Sequence, residues 1–158
     1  MEYIIYDSSC IKKFNMKPFA KIVYYNFPDL ISVPELKHTV DDILETLNKN
    51  NVLLLLCYDT KQKTVLGYLL GYNLKLNDGR HVMYISYVYV ANRLRSKGVG
   101  SKLMNMCEAV ADKRQCEGIL LTCNTHDKKV MHFYETKGYM LDLELRRYTK
   151  HDVMFKVL

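Results

Sequence analysis

The residues with the clearest chemical use form one short run, Arg95-Ser96-Lys97-Gly98-Val99-Gly100. A strand-like stretch precedes this run and an amphipathic, helix-like stretch follows it, so the two glycines allow a tight turn between strand and helix. The free N–H groups of such a turn and of the first helical turn point towards one spot, where the helix dipole favours an anion. Because Arg95 and Lys97 add positive charge, the run predicts a pyrophosphate-binding loop.

Length and composition are those of a single globular domain over residues 1–158, with 49% hydrophobic and 25% charged residues. The longest apolar run, Val52 to Cys57, has the length of a strand and not of a membrane span. The first residues lack the basic and apolar regions of a signal peptide. We therefore expect an intracellular protein, in the cytoplasm or the nucleus, that has no membrane partner.

Cysteine content and net charge narrow the class of ligand. The five cysteines are odd in number and form no C-x-x-C pair, which favours buried, reduced thiols over disulfides or a metal site. The net charge of +6 fits an anionic cofactor, and it also fits nucleic acid. Since the basic residues are scattered and do not interleave with aromatic residues, nucleic-acid binding is the weaker interpretation.

Hydrophobic periodicity and turn residues predict the elements that must position the loop. Ser8 or Ser9 is expected to cap a first helix, and Ser32-Val33-Pro34-Glu35 reads as a capping box for a second. Asn77-Asp78-Gly79 is typical of a hairpin. We predict strands over 3–6, 52–59, 65–76, 80–90, 119–123, 141–145 and 153–158, and helices over 9–25 with a break, over 33–48, from near Ser101 to about Arg114, and between a cap at Asp127 and Gly138.

This order of elements predicts an α/β (α+β) fold with a mixed sheet and helices on both faces. A helical crossover joins the strands at 80–90 and 119–123, so these two strands must be parallel. The three strands over 52–59, 65–76 and 80–90 follow one another through short turns and are expected to be antiparallel, and the last two strands are expected to form a pair.

A second motif, Phe133-Tyr134-Glu135-Thr136-Lys137-Gly138-Tyr139, completes a pattern with the glycine loop. The loop fits [Q/R]-x-x-G-x-[G/A] and the second motif fits F-Y-x-x-x-G-[F/Y]. With these two motifs and with the order of elements, the chain resembles the GNAT superfamily of acetyl-CoA-dependent N-acetyltransferases over essentially its whole length. The resemblance implies a mostly antiparallel seven-stranded sheet whose central parallel pair splays apart.

The resemblance also implies a co-substrate and a reaction. Acetyl-CoA would donate its acetyl group to a primary amine by direct attack, without a metal. The backbone of Val88, Tyr89 and Val90 would hold the pantetheine arm in the gap between the splayed strands. The loop, with Arg95, Ser96, Lys97, Gly98, Val99, Gly100 and Ser101, would bind the pyrophosphate. Tyr134 would be the general acid that returns a proton to the departing thiolate.

Within the superfamily, Tyr84-Ile85 and its spacing to Gly100 are similar to those of protein N-terminal acetyltransferases. This likeness implies a catalytic role for Tyr84, as a base acting directly or through a water molecule. The chain departs from the family pattern at Thr122, where relatives often carry a Glu or His base, and at Asp127, where they often carry Asn. His126 is a second candidate base. The short last hairpin, Arg146 to Asp152, suggests an open acceptor groove.

Other interpretations of these residues and of the whole chain remain open at this point. Tyr84 can be a cross-strand aromatic residue, and Tyr134 can be an aromatic residue on a helix face. For the acceptor, a protein or peptide amine is favoured, in particular an α-amino group. The alternatives are a small-molecule amine, or a catalytically silent acyl-CoA-binding module.

Overall fold

The computed structural model describes residues 1–27, 38–123, 125–145 and 152–158. Most predicted elements lie within a few residues of their expected bounds. The strands are β1 (Glu2–Asp7), β2 (Val52–Asp59), β3 (Thr64–Lys75), β4 (His81–Val90), β5 (Gly118–Thr122), β6 (Met140–Leu141) and β7 (Val153–Val157). The helices are α1 (Ser8–Ile11), α2 (Lys17–Asn26), α3 (Val40–Leu47), α4 (Val99–Lys113) and α5 (Lys128–Thr136), with a 3-10 turn at Asn92–Leu94.

The strands form one seven-stranded sheet in the order β1-β2-β3-β4-β5-β7-β6. β4 and β5 are parallel, with Val82 to Ile85 opposite Gly118 to Leu121. β1 with β2, β2 with β3, β5 with β7 and β6 with β7 are antiparallel. β4 continues beyond the parallel ladder from Ser86 to Val90. The predicted fold class, a mixed and mostly antiparallel sheet with one central parallel pair, is confirmed.

The chain divides into two compact units, of which the first comprises Met1–Tyr72 and Tyr87–Met104. In this unit β2 is covered on both faces, since Val52 to Leu55 are all buried. On one face α1, α2 and α3 contribute Ile11, Ala20, Val23, Ile43 and Leu47 to a core with Leu54 and Leu70. On the other face the first turns of α4 approach β3, where Val99 and Leu103 lie against Gly67.

The second unit comprises Asn73–Ser86 and Asn105–Leu158. Its core contains a cluster of buried apolar side chains from the strands, from the residue after β3 and from the turn after β6: Leu76, Val82, Leu120, Leu145, Val153 and Phe155. The side chain of Phe155 lies so close to β5 that a Cβ at Gly118 would come within 2.2 Å of the ring. The prediction of a single domain over residues 1–158 stays a prediction.

Two sequence-based predictions are wrong in detail. The strand predicted over 141–145 stops at Leu141, because the Asp142 carboxylate accepts the N–H groups of Glu144 and Leu145, at 3.0 and 3.1 Å, and so forms a turn. The first helix is capped by Asp7 and not by a serine. Because α1 begins at Ser8, the capping position falls on Asp7, which accepts the Cys10 N–H at 3.1 Å.

The capping box predicted at 32–35 and the predicted start of its helix lie outside the described residues, as does most of the last hairpin. Within the described part, α3 has a capping box of its own, formed by Thr39 and Asp42. All five cysteines are free thiols; Cys57, Cys107 and Cys116 are buried, and Cys10 and Cys123 are partly exposed. Among the described residues, no helix combines the length and apolarity needed to cross a membrane.

Candidate active site

The glycine loop lies between β4 and α4, in the first unit. Gly98 has a φ of 89° and Ser96 a φ of 63°, so two residues of the loop adopt left-handed backbone conformations. A side chain strains that conformation, which explains why glycine is needed at Gly98. A Cβ built on Gly98 meets no atom within 4 Å, so the space in front of the loop is open.

The N-terminus of α4 supplies the donors that were expected for an anion. The first bond of the ordinary helical pattern runs from the Lys102 N–H to the Gly98 carbonyl, at 3.0 Å. The N–H groups of Val99, Gly100 and Ser101 precede that bond and have no partner within the helix. Together with the helix dipole, these three N–H groups favour a phosphate oxygen at this end of the helix.

Arg95 follows the 3-10 turn, and its side chain folds back along β4. Its Nε donates to the Val90 carbonyl at 3.0 Å, and its Cζ lies 5.8 Å from the centre of the Tyr89 ring. One donor of the guanidinium is used in this way, and the planar fork carries four more. The structure therefore brings three of the predicted cofactor-binding residues into contact, namely Tyr89, Val90 and Arg95.

The end of β4 presents alternate backbone groups to opposite sides. A Cβ at Gly67 of β3 would lie 2.9 Å from the Tyr89 carbonyl oxygen, and the Ala91 N–H donates to the Leu66 carbonyl at 2.9 Å. The backbone groups of Tyr89 and Ala91 therefore face β3. Because successive residues of a strand alternate, the backbone groups of Val88 and Val90 face away from β3.

Tyr84 lies on β4 in the second unit, opposite Leu120 in the parallel ladder. Its hydroxyl is hydrogen-bonded to the side chain of Thr122. Burial raises the pKa of Tyr84, and the bond to Thr122 offsets only part of this rise. Tyr84 is therefore protonated at neutral pH, and a phenol of raised pKa is a weak base only in the small fraction that ionises.

Tyr134 lies in the last turn of α5, also in the second unit, with its ring edge-on to those of Phe133 and Tyr139. Burial, and to a smaller degree the neighbouring Cys123, raises the pKa of Tyr134 to about 12. Within the part of the chain that the structure describes, no group forms a hydrogen bond with the Tyr134 hydroxyl. This phenol is thus a protonated donor across the physiological range.

One carboxylate near the end of β5 was missed by the sequence analysis. The Cys123 N–H donates to the Asp152 carbonyl at 3.1 Å, and the Thr125 hydroxyl donates to the Asp152 carboxylate at 2.8 Å. Asp152 also contributes to the raised pKa of Cys123, after burial. No sequence motif marks Asp152, because only the antiparallel pairing of β5 with β7 brings it to this position.

Asp127 and His126 are the remaining residues that the sequence analysis considered. Asp127 caps α5 by accepting the Val130 N–H at 3.2 Å, which confirms its interpretation as a helix cap. His126 is exposed, directly before this cap. Among the described residues, no group of three His, Cys, Asp or Glu side chains is arranged to hold a metal ion.

Comparison with known proteins identifies the family. A profile described as the acetyltransferase (GNAT) family matches residues 20–139. No curated protein sequence matches the chain.

Solved structures show the same fold. A GNAT-family acetyltransferase from Staphylococcus aureus has a TM-score of 0.73 at 13% identity, with 99% of each chain covered. A chain of the NatC complex bound to a Gag peptide and CoA has a TM-score of 0.72 at 18% identity, with 100% of this chain and 99% of that chain covered. An aminoglycoside acetyltransferase from an uncultured soil metagenomic sample has a TM-score of 0.65 at 17% identity, with 90% of this chain and 95% of that chain covered.

At these identities the structural likeness establishes the fold, while the family profile covers well over half of the sequence. Both findings agree with the glycine loop at the N-terminus of α4 and with the aromatic motif on α5. The chain therefore belongs to the acetyltransferase (GNAT) family.

Proposed function

We propose that the protein transfers the acetyl group of acetyl-CoA to the α-amino group of a peptide or protein, by direct attack of the amine. Family membership makes the chain an acetyl-CoA-dependent acetyltransferase, as the sequence analysis expected. Similar structures were solved with CoA or acetyl-CoA bound, among them an N-acetyltransferase from Thermoplasma acidophilum. The choice of an α-amine rests on one observation, that neither Tyr84, whose pKa is raised, nor Thr122 is a strong base.

The first unit supplies the residues that would hold the co-substrate. Val99, Gly100 and Ser101 would direct their N–H groups at the pyrophosphate, in the open space before Gly98. Val88 and Val90 would offer backbone groups to the pantetheine arm, because those groups face away from β3. Arg95 and Lys97 would add charge, and Arg95 can do so through its Nη groups while its Nε stays on Val90.

Tyr134 would assist the leaving group as a hydrogen-bond donor. With a pKa of about 12, the phenol is fully protonated at neutral pH. A thiol ionises near pKa 8.5, so complete proton transfer from Tyr134 to the departing thiolate would be uphill by about 5 kcal/mol. A hydrogen bond from the phenol stabilises the developing negative charge without that transfer, and water can later supply the proton.

The acceptor is inferred from the weakness of the base. Burial keeps the Tyr84 phenol protonated, and Thr122 has no basic group. An α-amine has a pKa near 8 and a lysine side chain one near 10.4, so at neutral pH the α-amine is uncharged far more often. Because neither Tyr84 nor Thr122 is a strong base, an amine that is already neutral should react faster.

A small-molecule amine is the second candidate, since an aminoglycoside acetyltransferase has a similar structure. The net charge of +6 disfavours polycationic acceptors such as aminoglycosides or polyamines. A catalytically silent acyl-CoA-binding module is the third, and it would bind acetyl-CoA without releasing CoA in the presence of any amine.

An assay of CoA release at pH 7 distinguishes these candidates. The acceptors are a peptide with a free N-terminus and no lysine, the same peptide acetylated at its N-terminus and carrying one lysine, a polyamine and an aminoglycoside. We expect the free N-terminus to react fastest. A preference for the lysine peptide would overturn the α-amine assignment, and a preference for the polyamine or the aminoglycoside would make the enzyme a small-molecule acetyltransferase. If no amine releases CoA, the protein is a binding module.

A further inference from the structure

A partly buried charge network includes Tyr139, the last residue of the second motif, and lies within the second unit. The Glu108 carboxylate of α4 accepts the Tyr139 hydroxyl at 3.0 Å and pairs with the Lys156 ammonium of β7 at 3.1 Å, both through the same oxygen. The side chains of Glu108 and Lys156 are only 19% and 28% exposed, and Tyr139 is 1% exposed. A partly buried carboxylate is stabilised by hydrogen-bond donors, and here it has one neutral and one charged donor.

Tyr139 contacts Tyr134 through both its backbone and its ring. The Tyr139 N–H donates to the Tyr134 carbonyl at 3.1 Å, and the two rings lie edge-on with centres 5.7 Å apart. The chain can turn back in this way because Gly138 adopts a φ of 92° just after the end of α5. Both the backbone and the ring of Tyr134 thus contact Tyr139.

The hydroxyl of Tyr139 is permanently a donor. Burial and the neighbouring Glu108 charge raise its pKa far above the ordinary value of a tyrosine. The Lys156 ammonium balances the Glu108 charge and lies 5.7 Å from the centre of the Tyr139 ring. The three side chains therefore join α4, β7 and the end of α5 at one point.

We propose that Glu108 is a positioning residue, which acts through Tyr139 to hold the Tyr134 phenol in its working orientation. This inference rests on the proposed function, because it gives Tyr134 the role of the donor to the leaving group. Glu108 and Lys156 do not themselves contact the reacting atoms in this proposal. Their effect on the rate must therefore pass through Tyr134.

A double-mutant cycle tests that dependence. Tyr134→Phe should lower kcat by about 10²-fold, and Tyr139→Phe, which removes only a hydroxyl, should lower it by about 10-fold with the KM for acetyl-CoA unchanged. In the Tyr134→Phe background, Tyr139→Phe should change kcat by less than about 2-fold, because the group that it positions is gone. Full, additive losses in both backgrounds would overturn the proposal.

Charge variants and a matched control complete the cycle. Glu108→Gln should reproduce the kcat loss of Tyr139→Phe, and Lys156→Arg should keep more activity than Lys156→Met because it keeps the positive charge. Tyr25→Phe is the matched control, since this tyrosine is 73% exposed and lies outside the network. Tyr25→Phe should leave kcat unchanged. Thermal melting of every variant shows whether a kcat loss merely reports unfolding.

A readout that does not depend on activity separates the inference from the proposed function. In protein labelled with ¹³C at tyrosine Cζ, the Tyr134 resonance is the one that disappears in Tyr134→Phe. Tyr139→Phe and Glu108→Gln should shift or broaden it, and Tyr25→Phe should not. If Tyr134→Phe is fully active but the resonance responds, Tyr134 is positioned as proposed and its role in the reaction is wrong. A Tyr134 resonance that does not respond overturns the positioning role itself.

Discussion

At the scale of single residues, the two tyrosines of the proposed site are protonated for the same physical reason. Burial disfavours the charged phenolate, so the pKa of Tyr84 is raised and that of Tyr134 reaches about 12. This state suits Tyr134, which must donate a hydrogen bond. It does not suit Tyr84 as a base. As a protonated hydrogen-bond donor, Tyr84 would orient the acceptor or a water molecule instead.

The pH dependence of the rate follows from these pKa directions. A donor with a pKa of about 12 keeps its proton up to that pH, while an α-amine acceptor loses its proton near pH 8. We expect kcat/KM for an N-terminal peptide to rise from pH 6 to about 9 and then to stay level up to pH 10. Tyr84→Phe should slow the reaction and keep this shape. A fall in rate between pH 8 and 10 would contradict the role of Tyr134 as a protonated donor.

At the scale of elements, the junction between β4 and α4 holds the glycine loop, in which two residues have left-handed backbone conformations. Ser96 and Gly98 both have positive φ, and glycine removes the cost only at the second of them. The hairpin between β3 and β4 has a glycine in the same conformation, Gly79, with a φ of 93° and likewise no atom within 4 Å of a built Cβ. The two glycines therefore have nearly the same φ and the same open surroundings, and they differ in their location in the chain.

This pair gives a controlled test of the loop. Gly98→Asp and Gly79→Asp should each lower the melting temperature, because each forces a side chain into a left-handed conformation that costs about 1–2 kcal/mol. Acetyl-CoA should raise the melting temperature of the parent protein and of Gly79→Asp, since a ligand of the folded state stabilises it. It should not raise that of Gly98→Asp, in which a negative side chain faces the pyrophosphate. A rise of parental size in Gly98→Asp would place the co-substrate elsewhere.

At the scale of the whole molecule, the net charge of +6 acts on every anionic ligand. Long-range attraction raises the local concentration of anions and weakens as salt screens it. The same electrostatic attraction should favour acidic acceptor peptides over basic ones. This contribution is independent of the hydrogen bonds formed within either compact unit.

Peptides of matched length measure this effect. With the first two residues held constant, a peptide with acidic residues further along should have a lower KM than one with basic residues. The difference should shrink at about 0.5 M salt, where the screening length falls below 5 Å. Equal KM values at low salt would show that acceptor binding does not respond to the overall charge.

Much of the fold was predictable from local patterns. The parallel arrangement of β4 and β5 follows from the helical crossover between them, and the hairpin at Asn77–Gly79 and the cap at Asp127 follow from turn and capping residues. The two errors arose where a polar side chain bonds to the nearby backbone. Asp7, Ser8 and Ser9 can all cap a helix, and Asp142 ends a strand that its apolar neighbours would otherwise continue.

The sequence alone determined the family, the order of the strands along the chain and the position of the glycine loop between β4 and α4, because each depends on residues that are close together in the chain. Tertiary structure alone decided which groups meet across long separations. Asp152 reaches Thr125, Thr122 bonds to Tyr84, and Glu108 takes both Tyr139 and Lys156 only because the strands and helices that carry them pack side by side. Tertiary structure also decided that the two proposed catalytic tyrosines are protonated, because burial raises their pKa and burial is a property of the packed chain.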